Sequence, residues 1–215
     1  MKQLKIKVSD TGGTVSGELL EPPKMKALIV LAHGAGAGMR HIFMTRLSEA
    51  LAERNIGTLR YNFPYMENGK KRPDVPAVAT KTVEMALAKA HELYPKAKIF
   101  GAGKSFGGRM TSHYLSKHHP DYVRGVLFYG FPLHAAGDPG VDRADHLKTV
   151  SVPMLFMQGS RDALADLKLI KQVTKKLKNA ALEVFEGADH SFKSGKRIFI
   201  PELADATQTW IESNG

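Results

Sequence analysis

The stretch Lys98-Ile99-Phe100-Gly101-Ala102-Gly103-Lys104-Ser105-Phe106-Gly107-Gly108-Arg109 constrains this chain more than any other. It reads as a strand that stops at a serine and turns at once into a helix. Gly103-Lys104-Ser105-Phe106-Gly107 fits G-x-S-x-G, the pattern of a strained strand-to-helix turn that lifts a serine hydroxyl clear of the backbone. So tight a turn brings backbone segments too close for a Cβ, which accounts for the glycines. The helix that follows aims its unpaired N–H groups and positive dipole end at the serine.

The rest of the chain decides whether that turn has a matching context. Its 215 residues, 43% of them hydrophobic, suffice for a single domain over 1–215 with one sizeable core. No repeat or low-complexity tract divides it. It has no cysteine, which excludes a disulfide framework, a thiolate zinc site and a cysteine nucleophile. Met1-Lys2-Gln3-Leu4-Lys5-Ile6-Lys7 alternates polar and apolar residues and lacks the apolar core of a signal peptide. No apolar run reaches membrane-spanning length. The expectation is a cytoplasmic protein with no membrane partner.

The net charge is +10. The densest basic stretch, Lys168, Lys171, Lys175 and Lys178, lies on one side of a helix whose other side carries Leu167, Ile170, Val173 and Leu177. That is the pattern of an amphipathic surface helix, and no nucleic-acid partner is expected from it.

Residues 3–8 and 14–20 read as two strands around the turn Asp10-Thr11-Gly12-Gly13. Residues 27–32 are continuously apolar, as a strand buried on both faces requires, and run into the glycine loop His33-Gly34-Ala35-Gly36-Ala37-Gly38. Phe43, Met44, Leu47 and Leu51 recur at helical spacing. Strands follow at 57–63, 123–129, 153–158 and 181–186, and helices at 77–93 and 165–178, with Leu203, Thr207, Trp210 and Ile211 on one face of a last helix. Residues 64–76 and 132–150 read as loops, the latter irregular. Alternation from residue 27 onward implies parallel pairing through right-handed crossovers, with the first hairpin as an antiparallel edge. The predicted fold is α/β, with a mostly parallel central sheet between two helical layers.

Two motifs mislead. Gly103-Lys104-Ser105 imitates the end of a phosphate-binding P-loop, but the glycine required five positions earlier is Lys98. The loop after residue 32 imitates a dinucleotide fingerprint, but Met39 stands where its third glycine belongs, and residues 57–62 hold no acid for a ribose. No cofactor and no metal are expected.

The strand 153–158 is followed by Gly159-Ser160-Arg161-Asp162, and the strand 181–186 by Gly187-Ala188-Asp189-His190-Ser191-Phe192. Parallel strands present their C-terminal ends on one sheet edge, so Ser105, Asp162 and His190 can converge. The chemistry assigns the roles. A serine hydroxyl needs an adjacent base, His190, and the base needs a carboxylate to fix its tautomer, Asp162, with Asp166 and Asp189 as rivals. Asp162 read plainly is a helix cap. The N–H of Phe106, with that of Ala35 or Gly34, would serve as an oxyanion hole. His33 reads as shaping that loop, and Arg40 and His41 either meet an anionic substrate or cap the loop. Phe63, Tyr65 and Phe131 either line a shallow acyl pocket or belong to the core.

Five stretches together, Leu31-Ala32-His33-Gly34-Ala35-Gly36-Ala37-Gly38, Arg60-Tyr61-Asn62-Phe63-Pro64-Tyr65, Gly103–Arg109, Gln158–Asp162 and Gly187–Phe192, resemble the small α/β-hydrolase-fold family related to dienelactone hydrolase. The resemblance runs from about residue 14 to 212. It implies Ser105 as nucleophile, Asp162 as acid and His190 as base, and it fixes no substrate; the expected activity is that of a serine hydrolase on the ester or thioester bond of small, short-acyl substrates. Dienelactone hydrolases proper use a cysteine where this chain has serine. Larger relatives insert a helical cap where this chain has only residues 130–152, so an open site is expected. One relative is a subunit of a histone acetyltransferase complex, which keeps a binding or scaffold role as the alternative. No oligomeric state follows from these residues.

Overall fold

A computed structural model describes residues 1–9 and 13–214; Asp10, Thr11 and Gly12 of the expected first turn lie outside the described residues. Strand β3 (Ala27–Ala32) shows how the architecture follows from the sequence. Every residue in it is buried, and the side chains alternate between two cores. Leu28, Val30 and Ala32 face one core; Ala27, Ile29 and Leu31 face the other.

Around β3 the sheet is assembled from β1 (Lys2–Ser9), β2 (Gly13–Leu20), β4 (Ile56–Tyr61), β5 (Ile99–Lys104), β6 (Val123–Tyr129), β7 (Met154–Gly159) and β8 (Ala180–Phe185). The spatial order is β1-β2-β4-β3-β5-β6-β7-β8. β1 pairs with β2, and β2 with β4, in antiparallel fashion; all later neighbours are parallel. The first helix α1 (Ile42–Ala52) and the last, α6 (Ile200–Asn214), cover one face through Phe43, Leu47, Leu203 and Ile211. On the other face, α3 (Pro76–Leu93), α4 (Phe106–Leu115) and α5 (Leu167–Lys176) contribute Val83, Leu87, Met110 and Ile170.

The departures from expectation are local. The strand expected over 57–63 ends at Tyr61, because the Phe63 N–H turns to the His33 ring and Pro64 opens a one-turn helix, α2 (Pro64–Glu67). The expected loop 132–150 holds a 3-10 helix over Asp142–Thr149, docked on α4 where the rings of His113 and His146 stack 3.6 Å apart. The connection between β6 and β7 therefore packs against the body and builds no cap. No helix of the described residues is long and apolar enough to cross a membrane.

One ionic contact joins the antiparallel edge to the glycine loop. Glu18 and Arg60 stand opposite each other on β2 and β4, each 2% exposed, with Arg60 Nη2 3.0 Å from Glu18 Oε2. Arg60 Nη1 also donates to Thr45 Oγ1 and to the Met39 carbonyl, and Arg40 Nε donates to Glu18 Oε1. Burial alone would raise the Glu18 carboxyl. Hydrogen bonds from Gln3 and Arg40, with the Arg60 charge, outweigh burial and hold it below its ordinary value.

Removing one partner of a buried pair leaves the other charge uncompensated. Glu18→Gln is therefore expected to lower unfolding stability by about 3–5 kcal/mol. Arg40→Gln, on a side chain 70% exposed, should cost at most about 1 kcal/mol. Urea unfolding of both variants checks this, and equal losses would contradict it.

Candidate active site

Ser105 sits between β5 and α4 with φ +50° and ψ −116°, a backbone conformation that L-residues rarely adopt. The elbow's close approach is physical. A Cβ at Gly107 would lie 2.6 Å from the His33 carbonyl oxygen, and one at Gly103 would collide with the backbone of Gly107 and Gly108. Only glycine lets the start of α4 press against the end of β3. Phe106 opens α4, so its N–H is among those the helix itself leaves unpaired.

The glycine loop runs beside the serine. A Cβ built on Gly34 would lie 3.7 Å from Ser105 Cβ. Three donors converge on the Gly34 carbonyl: His33 Nδ1 at 2.9 Å, the Tyr65 hydroxyl at 3.4 Å and the Ala37 N–H at 3.3 Å. In a planar trans peptide the N–H points opposite to the C=O. Pinning that carbonyl inward therefore turns the Ala35 N–H the other way. The His33 ring is fixed in turn, because its Nε2 accepts the Phe63 N–H at 3.0 Å, which leaves the proton on Nδ1. Burial lowers this imidazole to about 4, against a smaller opposing effect of the Gly34 carbonyl.

His190 and Asp162 meet across two interlocked loops. His190 Nδ1 lies 2.8 Å from Asp162 Oδ2, and the Asp162 side chain is fully buried. The Leu164 N–H donates to Asp162 Oδ1, and the Gln158 amide donates to Oδ2. Gln158 Oε1 also accepts the Phe131 N–H, which ties the loop after β6 to the acid. The Arg161 N–H binds the Ala188 carbonyl, and a Cβ at Gly159 would strike the backbone of Ala188 and Asp189, so the two loops fit only with glycine there. The rival acids are otherwise engaged. Asp166 caps α5 through the Leu169 N–H, and Asp189 accepts the N–H groups of Ser191 and Lys193 within its own turn.

Ser105, His190, Gly34 and Ala35 line one cavity of about 420 Å³. Its walls come from α1, the segment before α6 and the start of α6, including Phe43, Met44, Ile198 and Ile200. Phe63, Tyr65 and Phe131 do not line it. They are 0–1% exposed and belong to the core on the opposite sheet face, where Phe63 and Tyr65 buttress the glycine loop from behind. Arg40 pairs with Glu18, and His41 caps α1 by accepting the Phe43 N–H. Among the described residues no group of three or more His, Asp or Glu is placed to hold a metal ion.

Sequence reasoning missed Lys104. Its Nζ donates to the His190 carbonyl at 2.6 Å, across 86 residues, and lies 5.5 Å from the centre of the Phe192 ring. Burial pulls this ammonium down to about 8, while Asp162 and Asp189 pull the other way. Gly130 was missed too. Its φ is +74°, and a Cβ there would lie 3.1 Å from Lys104 Nζ and 3.5 Å from the His190 ring. The legible signal was its place at the end of β6, on the edge where the other loops gather.

The chain belongs to the alpha/beta hydrolase domain family, whose pattern matches residues 25–209. Solved structures share the fold at low identity. An alpha-beta serine hydrolase homologue from Coxiella burnetii is 18% identical, with a TM-score of 0.78 over 98% of this chain and 97% of that one. Dienelactone hydrolase from Anabaena variabilis is likewise 18% identical, with a TM-score of 0.78 over 99% and 98%. A serine hydrolase without lid from Xanthomonas campestris is 18% identical, with a TM-score of 0.75 over 99% and 94%.

The His33 geometry sets a pH dependence. An unfolded histidine takes up its proton near 6.5, whereas folded His33 does so only near 4. Between those values the unfolded state binds more protons, so stability falls as pH falls. Urea unfolding should show a loss of about 2 kcal/mol between pH 6.5 and 5 from His33, with His146, also lowered by burial, adding in the same direction. A flat profile across that window would contradict the assignment.

Proposed function

We propose that the protein is a serine hydrolase that cleaves the ester or thioester bond of small, short-acyl substrates through an acyl-enzyme on Ser105. The observation that carries this reading is the 2.8 Å contact between His190 Nδ1 and Asp162, facing the same cavity as a serine held at positive φ. A buried ion-pair geometry alone would serve structure. Set beside an elbow serine and a glycine loop, it serves proton transfer.

In this reading Ser105 Oγ attacks the substrate carbonyl carbon while His190 Nε2 accepts the hydroxyl proton. Asp162 receives the Nδ1–H and stabilises the imidazolium without taking its proton. The carbonyl oxygen becomes an oxyanion and accepts hydrogen bonds from the N–H groups of Phe106 and Ala35, with Gly34 beside them. His190 then returns the proton to the departing alcohol or thiol. Water, deprotonated by the same imidazole, attacks the acyl carbon and releases the acid and Ser105. Lys104 holds the His190 backbone from below, which keeps the base in place through both halves. The serine hydrolases of like fold support the reaction class, and the cap-free cavity supports small substrates.

The test is hydrolysis of p-nitrophenyl acetate, butyrate and octanoate, with fluorophosphonate labelling of the same samples. The wild type should turn over the short esters fastest and take up one label on Ser105. Ser105→Ala should lose about 10⁴-fold or more of kcat and all labelling. Undiminished turnover in Ser105→Ala would remove the serine from its role.

A further inference from the structure

The cavity is not electrically neutral. Phe43, Met44, Ile198 and Ile200 give it an apolar side, and Arg46, Lys104 and Lys193 also line it. No aspartate or glutamate is among the lining residues. Other arginines are already paired: Arg54 with Asp205 and Arg197 with Glu202, while Arg40 shares Glu18 with Arg60. Arg46 and Lys193 are exposed, and among the described residues neither has an ion-pair partner. Asp162 and Asp189 act on the ammonium of Lys104, so the charge the lining leaves for a ligand is that of Arg46 and Lys193. A cleft lined by one sign of charge over low-dielectric walls attracts the opposite charge.

Resting on the ester-cleaving reading above, we infer that this cavity selects esters that carry a negative charge a few bonds from the scissile carbonyl. Their short hydrocarbon portion packs on the apolar side, and the anion is held between Arg46 and Lys193. The charge can sit on the acyl or on the alcohol half; the recognition chemistry is the same. A neutral ester of equal length fills the apolar side but leaves both cations unmatched.

Two matched pairs of probes separate the halves. One is 4-nitrophenyl hydrogen glutarate against 4-nitrophenyl pentanoate, with the charge on the acyl group. The other is 4-acetoxybenzoate against its methyl ester, with the charge on the leaving group. For at least one pair the anionic member should be preferred in kcat/KM by about tenfold at low ionic strength, and the preference should shrink as salt screens it. In Arg46→Gln/Lys193→Gln, shown to be folded by circular dichroism, the ratio should fall towards that of the uncatalysed pair. The pair that responds identifies the charged half. Ser105-dependent turnover with no preference in either pair, or a preference insensitive to both salt and the double substitution, overturns the inference and leaves the esterase reading standing. Absence of Ser105-dependent turnover of all four probes, together with absence of fluorophosphonate labelling, overturns both.

Discussion

Everything at this site depends on backbone touching backbone. The first turn of α4 lies against the carbonyl oxygens of Ala32 and His33 at the end of β3, and Gly103 lies against Gly107 and Gly108. No side chain mediates these contacts, so no side chain can adjust to relieve them. The approach sets where the α4 N-terminus points, how far Ser105 projects, and how near the glycine loop comes. Were the helix one Cβ further from the sheet, the N–H groups of Phe106 and Ala35 would address different places.

A loop made of glycine and alanine has almost nothing of its own with which to hold a shape. Here the rigidity is imported. His33 and Tyr65 grip the Gly34 carbonyl, Asn62 accepts the Met39 N–H at 3.0 Å, and Arg60 reaches the Met39 carbonyl from its pairing with Glu18. The antiparallel edge of the sheet, distant from Ser105 in topology, thus contributes to the order of the loop beside it. The histidine loop follows the same plan, held from outside by Lys104 and by the backbone around Gly159.

Where the information was local, the sequence was legible. The elbow, the twofold-buried run of β3, the strand and helix order, and the places of Asp162 and His190 all follow from neighbours in the chain. What was not legible depends on contacts between distant residues. Nothing near Phe63 says that its N–H will meet a histidine 30 residues away, which ends β4 early and turns the aromatic cluster inward. Lys104 resembles any charged residue in a variable motif position; only the fold shows it half-buried, its ammonium held by a loop from the far end of the chain. The 3-10 helix over Asp142–Thr149 forms in a segment whose own residues favour turns, because it can dock on α4.

The backbone at Ser105 has a further meaning. Its φ of +50° is a conformation that costs an L-residue on the order of 1–3 kcal/mol and costs glycine almost nothing. Alanine and cysteine would bear the same burden as serine, since all three carry a Cβ. Glycine alone would shed it. Judged by folding free energy, then, serine is the wrong residue at the most prominent position in the chain, and selection for robustness alone would have discarded it. The reading of Ser105 as the nucleophile would account for that cost.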